Sequence, residues 1–184
     1  MKRFWIINLV LFQASWFSAA FLTVNANIIL AALLGVHFLL SPSAKKDLAV
    51  LPLALIGIAV DVIHFNIGSF SSQLGGFPLW LALLWSLFVI SFNHSLSWFV
   101  NKPIWLLMAF GAVGGTSSYW AGMQAGALQS GLQDATLIAS LALSWGLLFP
   151  LLIVSYRTFS TFLSSRGVLN TEYCKMNHSK NNHS

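Results

Sequence analysis

The chain has 184 residues and a net charge of +5, with 57% hydrophobic residues and only 7% charged residues. Soluble domains contain about 25% charged residues, so this composition excludes an ordinary soluble domain and favours a membrane protein. The positive charges lie between long apolar stretches, which indicates membrane orientation and argues against a nucleic-acid partner.

Six apolar segments follow one another, each about long enough to cross a hydrocarbon core of roughly 30 Å. All lysines and arginines fall in alternate gaps, on one side of a six-span arrangement. Because positive charge stays in the cytoplasm, the sequence predicts an all-α bundle of six transmembrane helices with both termini cytoplasmic. The segments are Phe4–Leu22, Val24–Leu40, Leu48–Ile67, Pro78–Val100, Pro103–Leu128 and Ala135–Tyr156.

These segments place a transmembrane domain at residues 1–156 and a cytoplasmic tail, predicted to be disordered, at residues 157–184. Cleavage of the first segment as a signal peptide stays an open alternative, because small residues occur at Val24–Ala26. Its apolar run nevertheless exceeds the roughly 7–15 residues of a signal core. Ser41–Asp47 reads SPSAKKD, which predicts a cytoplasmic turn.

The third segment contains an acid, Asp61, and a histidine, His64. An ionised aspartate near mid-membrane costs about 2.5–3.5 kcal/mol on insertion scales, so Asp61 must pair, become protonated or face water. Gly57, Asp61 and His64 lie on one helical stripe, which we expect to face the bundle interior. Two interpretations stay open: a proton-handling or ligand-binding pair, or a buried Asp–His hydrogen bond.

The fourth segment carries a second polar site at Asn93 and His94, and His37 in the second segment should lie at a similar depth. Two histidines on separate helices could be haem ligands, but structural, hydrogen-bonded histidines are the favoured interpretation. The sequence has no HExxH, GxSxG or Walker motif. We therefore predict neither a metal site nor a cofactor.

The fifth segment is the least lipid-like. Gly111 and Gly115, and then Gly122 and Gly126, are spaced by four residues, and small residues at this spacing let two helix backbones approach closely. Tyr119 and Gln124 add polar groups that need partners in lipid. The segment is therefore predicted to be a central packing helix.

Four motifs occur in a distinctive order: FQASWF at Phe12–Phe17, LWLALLWSLFVISFNHSLSWF at Leu79–Phe99, GAVGGTSSYWAGMQAGAL at Gly111–Leu128 and SWGLLFPLL at Ser144–Leu152. They resemble a family of small bacterial inner-membrane proteins known only as a domain of unknown function. Its most specific pieces are the Asn-His-Ser-Leu and Gly-Gly…Tyr…Ala-Gly signatures. The resemblance implies no established activity. Members are similar in being encoded near fatty-acid-modifying enzymes, and this implies a function that involves lipids. Members also often carry a basic residue where this chain has Gln124.

Three functions remain open. The first is an accessory protein that binds membrane lipids or another membrane protein; the others are a proton-coupled transporter and a lipid-modifying membrane enzyme. A cavity open to each side in turn would favour transport, a cavity open laterally to lipid would favour an enzyme, and no cavity would favour a scaffold. Whether the chain is an enzyme, and its oligomeric state, stay open. The candidate catalytic positions are Asp61, His64, Asn93, His94, Tyr119 and Gln124.

Overall fold

The structure, a computed structural model, describes residues 4–72 and 75–165. Almost all of these residues are helical, which confirms the all-α class. Six helical segments correspond to the six apolar segments of the sequence, but three of them are interrupted. The helices are α1 (Phe4–Phe21), α2 (Ala26–Leu40), α3 (Ala44–Val50), α4 (Ala54–Asn66), α5 (Leu79–Ile90), α6 (Ile104–Phe110), α7 (Thr116–Gln124) and α8 (Asp134–Ser165).

Three helical stretches of the described chain are long and apolar enough to cross a membrane: Phe4–Phe21, Ala44–Asn66 and Asp134–Leu163. The second of these joins α3 to α4 through a 3₁₀ turn at Leu51–Leu53, where Pro52 lacks the N–H that a regular helix would use. It begins at Ala44, before the predicted start at Leu48. The helix therefore includes Asp47, which the sequence had placed in a turn.

The fourth segment is not one continuous helix, contrary to the prediction. After α5 the chain forms a 3₁₀ turn at Ser91–Asn93 and another at Ser97–Asn101. Between them, His94 has φ −131° and ψ −98°, which is outside helical conformation. At this break the backbone N–H of Ser95 points to α1, where it donates to Asn8 Oδ1.

The fifth segment is divided by a π-helical turn at Gly111–Gly115, between α6 and α7. Such turns are rare and are often found at functional sites. This one lies directly against α8: a Cβ added at Gly111 would overlap the carbonyl oxygen of Trp145. The glycines therefore allow the backbones of these two segments to approach.

A short antiparallel ladder pairs β1 (Phe70–Ser71) with β2 (Gln129–Ser130). It ties the loop after α4 to the loop after α7, and the sequence gave no sign of it. The two loops are thereby held together at the end of the bundle opposite the lysine-containing connections.

The last helix, α8, continues to Ser165, so the predicted domain boundary at residue 156 falls inside it. Arg157, just beyond that boundary, donates hydrogen bonds to the carbonyl oxygens of Val100 (2.5 Å) and Lys102 (2.7 Å). These bonds fix α8 to the connection between the fourth and fifth segments. Residues 157–165 of the predicted tail are helical, and the rest of that tail, residues 166–184, lies outside the described residues.

Candidate functional site

The first polar centre is the Asp47 cluster, formed by His37, Ser41, Asp47, Asn93, His94 and Tyr156. Asp47 is fully buried, and His37 is too; the His94 side chain is 7% exposed. Nε2 of His37 lies 3.0 Å from Asp47 Oδ2, and Nε2 of His94 lies 2.9 Å from Asp47 Oδ1. Three segments of the chain therefore meet at one carboxylate.

Further donors complete the environment of this carboxylate. Asn93 donates from Nδ2 to Oδ1 of Asp47 at 2.8 Å, and the Ser41 hydroxyl donates to Oδ2. The hydroxyl of Tyr156, on α8, donates to Asn93 Oδ1 at 2.8 Å. A buried carboxylate is tolerated only when it is hydrogen-bonded or paired, and here both oxygens have several partners.

Asp47 is the functional candidate that sequence reasoning missed. The neighbouring lysines and Pro42 made its segment look like a solvated turn. One signal could have found it: Asp47 lies about four helical turns before Asp61, on the same face of the helix. A helix started at Ala44 would have placed both acids inside the bundle.

The geometry of the two histidines argues against haem. Both imidazoles direct Nε2 at the same carboxylate, with ring centroids 5.5 Å apart. Asp47 therefore occupies the space that an iron porphyrin would need between axial ligands. The Phe4 ring packs edge-on against both imidazoles, with centroids 5.5 Å from His37 and 4.8 Å from His94.

The second polar centre is the Asp61 cluster, formed by Asp61, Trp85 and Tyr119. Asp61 is 2% exposed. Its Oδ2 accepts hydrogen bonds from Trp85 Nε1 at 2.6 Å and from the Tyr119 hydroxyl at 2.5 Å. The acid is thus held by neutral donors from the fourth and fifth segments.

His64 lies on the same buried face as Asp61, but it has a different partner. Its Nε2 lies 2.9 Å from the Ser144 hydroxyl on α8, and its ring stacks on Phe70 with centroids 5.2 Å apart. The described residues show no hydrogen bond between His64 and Asp61. Gln124 is exposed near the end of α7 and lies apart from both clusters, beside Asp134 in a separate cavity of about 310 Å³.

Two tryptophans pack between two glycines, an arrangement that we call the indole stack. Trp85 of α5 and Trp145 of α8 are parallel, with centroids 5.3 Å apart and planes 12° apart. A Cβ added at Gly57 would overlap the ring of Trp85, and a Cβ added at Gly115 would overlap the ring of Trp145. The stack therefore fills the full distance between α4 and the π-helical turn.

The four glycines proposed for helix packing occupy different environments. Gly111 and Gly115 both face Trp145 on α8. No atom lies within 4 Å of a Cβ built at Gly122 or Gly126, and Gly126 has φ +87°, which favours glycine as α7 ends. The close approach therefore belongs to the first pair.

A lateral cavity of about 510 Å³ lies between α1, α5 and the π-helical turn. Trp85 and Tyr119 of the Asp61 cluster form part of its wall, and the remaining wall is mostly aromatic and aliphatic. Trp16 Nε1 donates to the Ser118 hydroxyl at 2.7 Å and so joins α1 to α7 beside the cavity. The apolar lining includes Phe12, Phe17, Leu81, Phe88, Phe110 and Phe149.

The cavity opens to the side of the bundle. Its exposed lining residues are Gln13, in the middle of α1, Phe17, one turn later, and Phe110, Gly114 and Ser117, in the middle of the fifth segment. Positions at mid-length of apolar helices face the hydrocarbon of a bilayer when the helices cross it. The opening therefore lies on the side of the bundle, away from its two ends.

These features define an all-α protein with apolar helices of membrane-spanning length, two buried carboxylates and a lateral apolar cavity. The chain belongs to the family described as protein of unknown function, DUF2878, whose family model matches residues 5–151. This match confirms the family resemblance of the sequence. No curated protein and no solved structure matches the chain.

Proposed function

We propose that this protein is a multi-pass membrane protein that holds the apolar chain of a membrane lipid in its lateral cavity. The observation that carries the proposal is the cavity itself, at about 510 Å³. Small-molecule sites have volumes of about 300–1,000 Å³ and are lined mainly by apolar and aromatic side chains with a few polar groups. The cavity has this size and this lining.

A lateral opening is the feature that the sequence analysis associates with a lipid-modifying enzyme, but the polar groups of this cavity suit binding better than catalysis. Gln13, Ser117 and Ser118 are uncharged hydrogen-bonding groups on the wall. The described lining residues include no carboxylate, imidazole, thiol or amine. Asp61 lies behind Tyr119 and Trp85, and both of those side chains donate to it. A bound lipid would therefore contact the donors of Asp61 and would not contact the carboxylate.

The proposed setting is the bacterial inner membrane, with six spans and both termini cytoplasmic. Its support is the one-sided distribution of lysine and arginine together with six successive helical segments. In this orientation the Asp47 cluster lies near the cytoplasmic face and the lateral cavity faces the hydrocarbon core. Membrane lipids are then the partners closest to the opening.

The experiment fills the cavity without disturbing the packing. Gly114 is exposed on the cavity wall, and no atom lies within 4 Å of a Cβ built there. Gly114→Leu should therefore fold normally and place an isobutyl group in the opening. The matched control is Gly35→Leu, because Gly35 is an exposed helical glycine of α2 with equally open surroundings and lies outside the cavity.

Purified parent and variants are exchanged into the same detergent, and the lipid that stays bound is measured by mass spectrometry. We expect several-fold less bound lipid in Gly114→Leu than in the parent, and parental amounts in Gly35→Leu. Circular dichroism checks that all three proteins are folded. Equal lipid in Gly114→Leu and Gly35→Leu would refute the assignment of the cavity.

A further inference from the structure

We infer that His37, Asp47 and His94 form a binding site for a divalent first-row transition-metal ion. One ligand atom from each residue lies within 4.8 Å of the other two. The three side chains come from α2, α3 and the break after α5, so the fold brings them together from separate segments. This site is independent of the lateral cavity.

The distances are close to those of a metal centre. In a tetrahedral zinc site with bonds of about 2.0–2.1 Å, ligand atoms lie about 3.3 Å apart. The two Nε2 atoms lie 3.0 Å and 2.9 Å from the oxygens of Asp47. Coordination would require each of these distances to lengthen by about 0.3–0.4 Å, and the two Nε2 atoms, which lie within 4.8 Å of each other, to lie about 3.3 Å apart as well.

The donor set selects the class of metal. Two imidazole nitrogens and one carboxylate suit zinc, iron or cobalt, whereas magnesium and calcium prefer oxygen ligands alone. With neutral imidazoles the three ligands carry one negative charge, so a divalent ion would leave the buried site with one positive charge. Three protein ligands also leave a fourth position for water or another small ligand.

The surroundings of Asp47 would orient it for this role. Asn93 holds Oδ1, Ser41 holds Oδ2, and Tyr156 in turn holds Asn93. Outer hydrogen bonds of this kind fix the direction of a ligand. By contrast, Nδ1 of His37 is buried and has no hydrogen-bond partner among the residues that the structure describes. Loss of such an outer bond weakens metal affinity about 10–100-fold, so we expect an exchangeable ion.

The test measures metal binding by the full-length protein in detergent. An affinity tag without histidine is used, and His178 and His183 are replaced by alanine, because these tail histidines could bind metal themselves. After treatment with EDTA, the protein is dialysed against Zn²⁺ or Mg²⁺, and the metal is measured by mass spectrometry. We expect about one equivalent of zinc per chain and no retained magnesium.

Single variants identify the ligands. His37→Gln and His94→Gln should each bind zinc at least about tenfold more weakly. The matched control is His64→Gln, because His64 is a buried histidine that bonds Ser144 outside the cluster. Parental zinc binding in His37→Gln and His94→Gln would overturn the proposal, and so would an equal loss in all three variants.

Cobalt gives a second measurement that does not depend on the variants folding. The parent with Co²⁺ should show the visible absorption of a cobalt ion in a low-coordinate imidazole and carboxylate environment, and Zn²⁺ should remove it. A cobalt spectrum identical to that of the hydrated ion would overturn the proposal even if the histidine variants could not be purified.

Discussion

Replacement of Gly115 by alanine tests the indole stack most directly, because one added methyl group would overlap the ring of Trp145. That ring has little freedom to move. It is 9% exposed, it stacks on Trp85, and its centroid lies 5.7 Å from that of Tyr119. Trp85 in turn is held against Gly57 on its far side. The added methyl group therefore strains the whole stack.

The expected magnitude follows from two opposing effects. Overpacking a filled core costs about 1–3 kcal/mol. Replacing a helical glycine by alanine gains up to about 1 kcal/mol when the site is open. Gly114 is the neighbouring glycine of the same π-helical turn and has no atom within 4 Å of a built Cβ. The gain applies to both glycines and cancels in the comparison, so Gly115→Ala should be less stable than Gly114→Ala by about 1–3 kcal/mol.

Unfolding by sodium dodecyl sulfate in mixed micelles, followed by circular dichroism, measures this difference. Circular dichroism is preferred because the substitution changes the environment of two tryptophans. Trp145→Phe should partly restore Gly115→Ala, since a smaller ring makes room for the methyl group. The reasoning is refuted if Gly115→Ala and Gly114→Ala unfold at the same detergent fraction.

Two other predictions concern orientation and the buried acid. Reporter fusions should give a periplasmic signal after Gly76 and cytoplasmic signals after Lys102 and Ser184, because positive charge stays inside; a periplasmic signal at Ser184 would contradict six spans. Asp61→Asn should unfold at the same or a higher detergent fraction, because an amide oxygen still accepts from Trp85 and Tyr119 and the desolvation cost falls. Asp61→Leu should lower the free energy of unfolding by about 1–3 kcal/mol, since it leaves both donors unbonded. Equal stability of the two Asp61 variants would show that these hydrogen bonds do not contribute to stability.

Hydropathy and charge were sufficient to predict the all-α class and the approximate helical segments. The stripe of Gly57, Asp61 and His64 is buried, because its spacing matches the helical repeat. The break in the fourth segment was not predictable from local sequence spacing. There, the Ser95 amide and hydroxyl donate to Asn8 Oδ1 at 3.2 Å and 2.5 Å, and Asn8 lies on α1. These two hydrogen bonds join positions that are distant in the chain, so they leave no local pattern in the sequence.

The two polar clusters illustrate the same limit. Sequence spacing suggested that Asp61 would pair with His64, but the packing of the fourth and fifth segments supplies Trp85 and Tyr119 instead. The lateral cavity, too, arises from four segments and has no sequence signature of its own.

The late position of the partners of Asp61 has a consequence for biogenesis. Trp85 and Tyr119 follow Asp61 in the chain, so the third segment meets the insertion machinery before either donor has been made. An unpaired aspartate costs about 2.5–3.5 kcal/mol there, and each large apolar residue contributes about −0.3 to −0.6 kcal/mol. The large apolar residues of α4 together offset on the order of 3 kcal/mol; they are Leu55, Ile56, Ile58, Val60, Val62, Ile63 and Phe65.

Within α4, the cost of the aspartate is therefore about matched by the apolar residues around it until the later helices arrive. The apolar residues before α4 add to the margin, so the nascent third span can enter the bilayer without its partners, and Trp85 and Tyr119 then retain it. Synthesis order thus separates two events, entry of the acid into the membrane and completion of its hydrogen bonds. A nascent chain stalled after Asp61 has been made, and before Tyr119 has been made, would expose the intermediate.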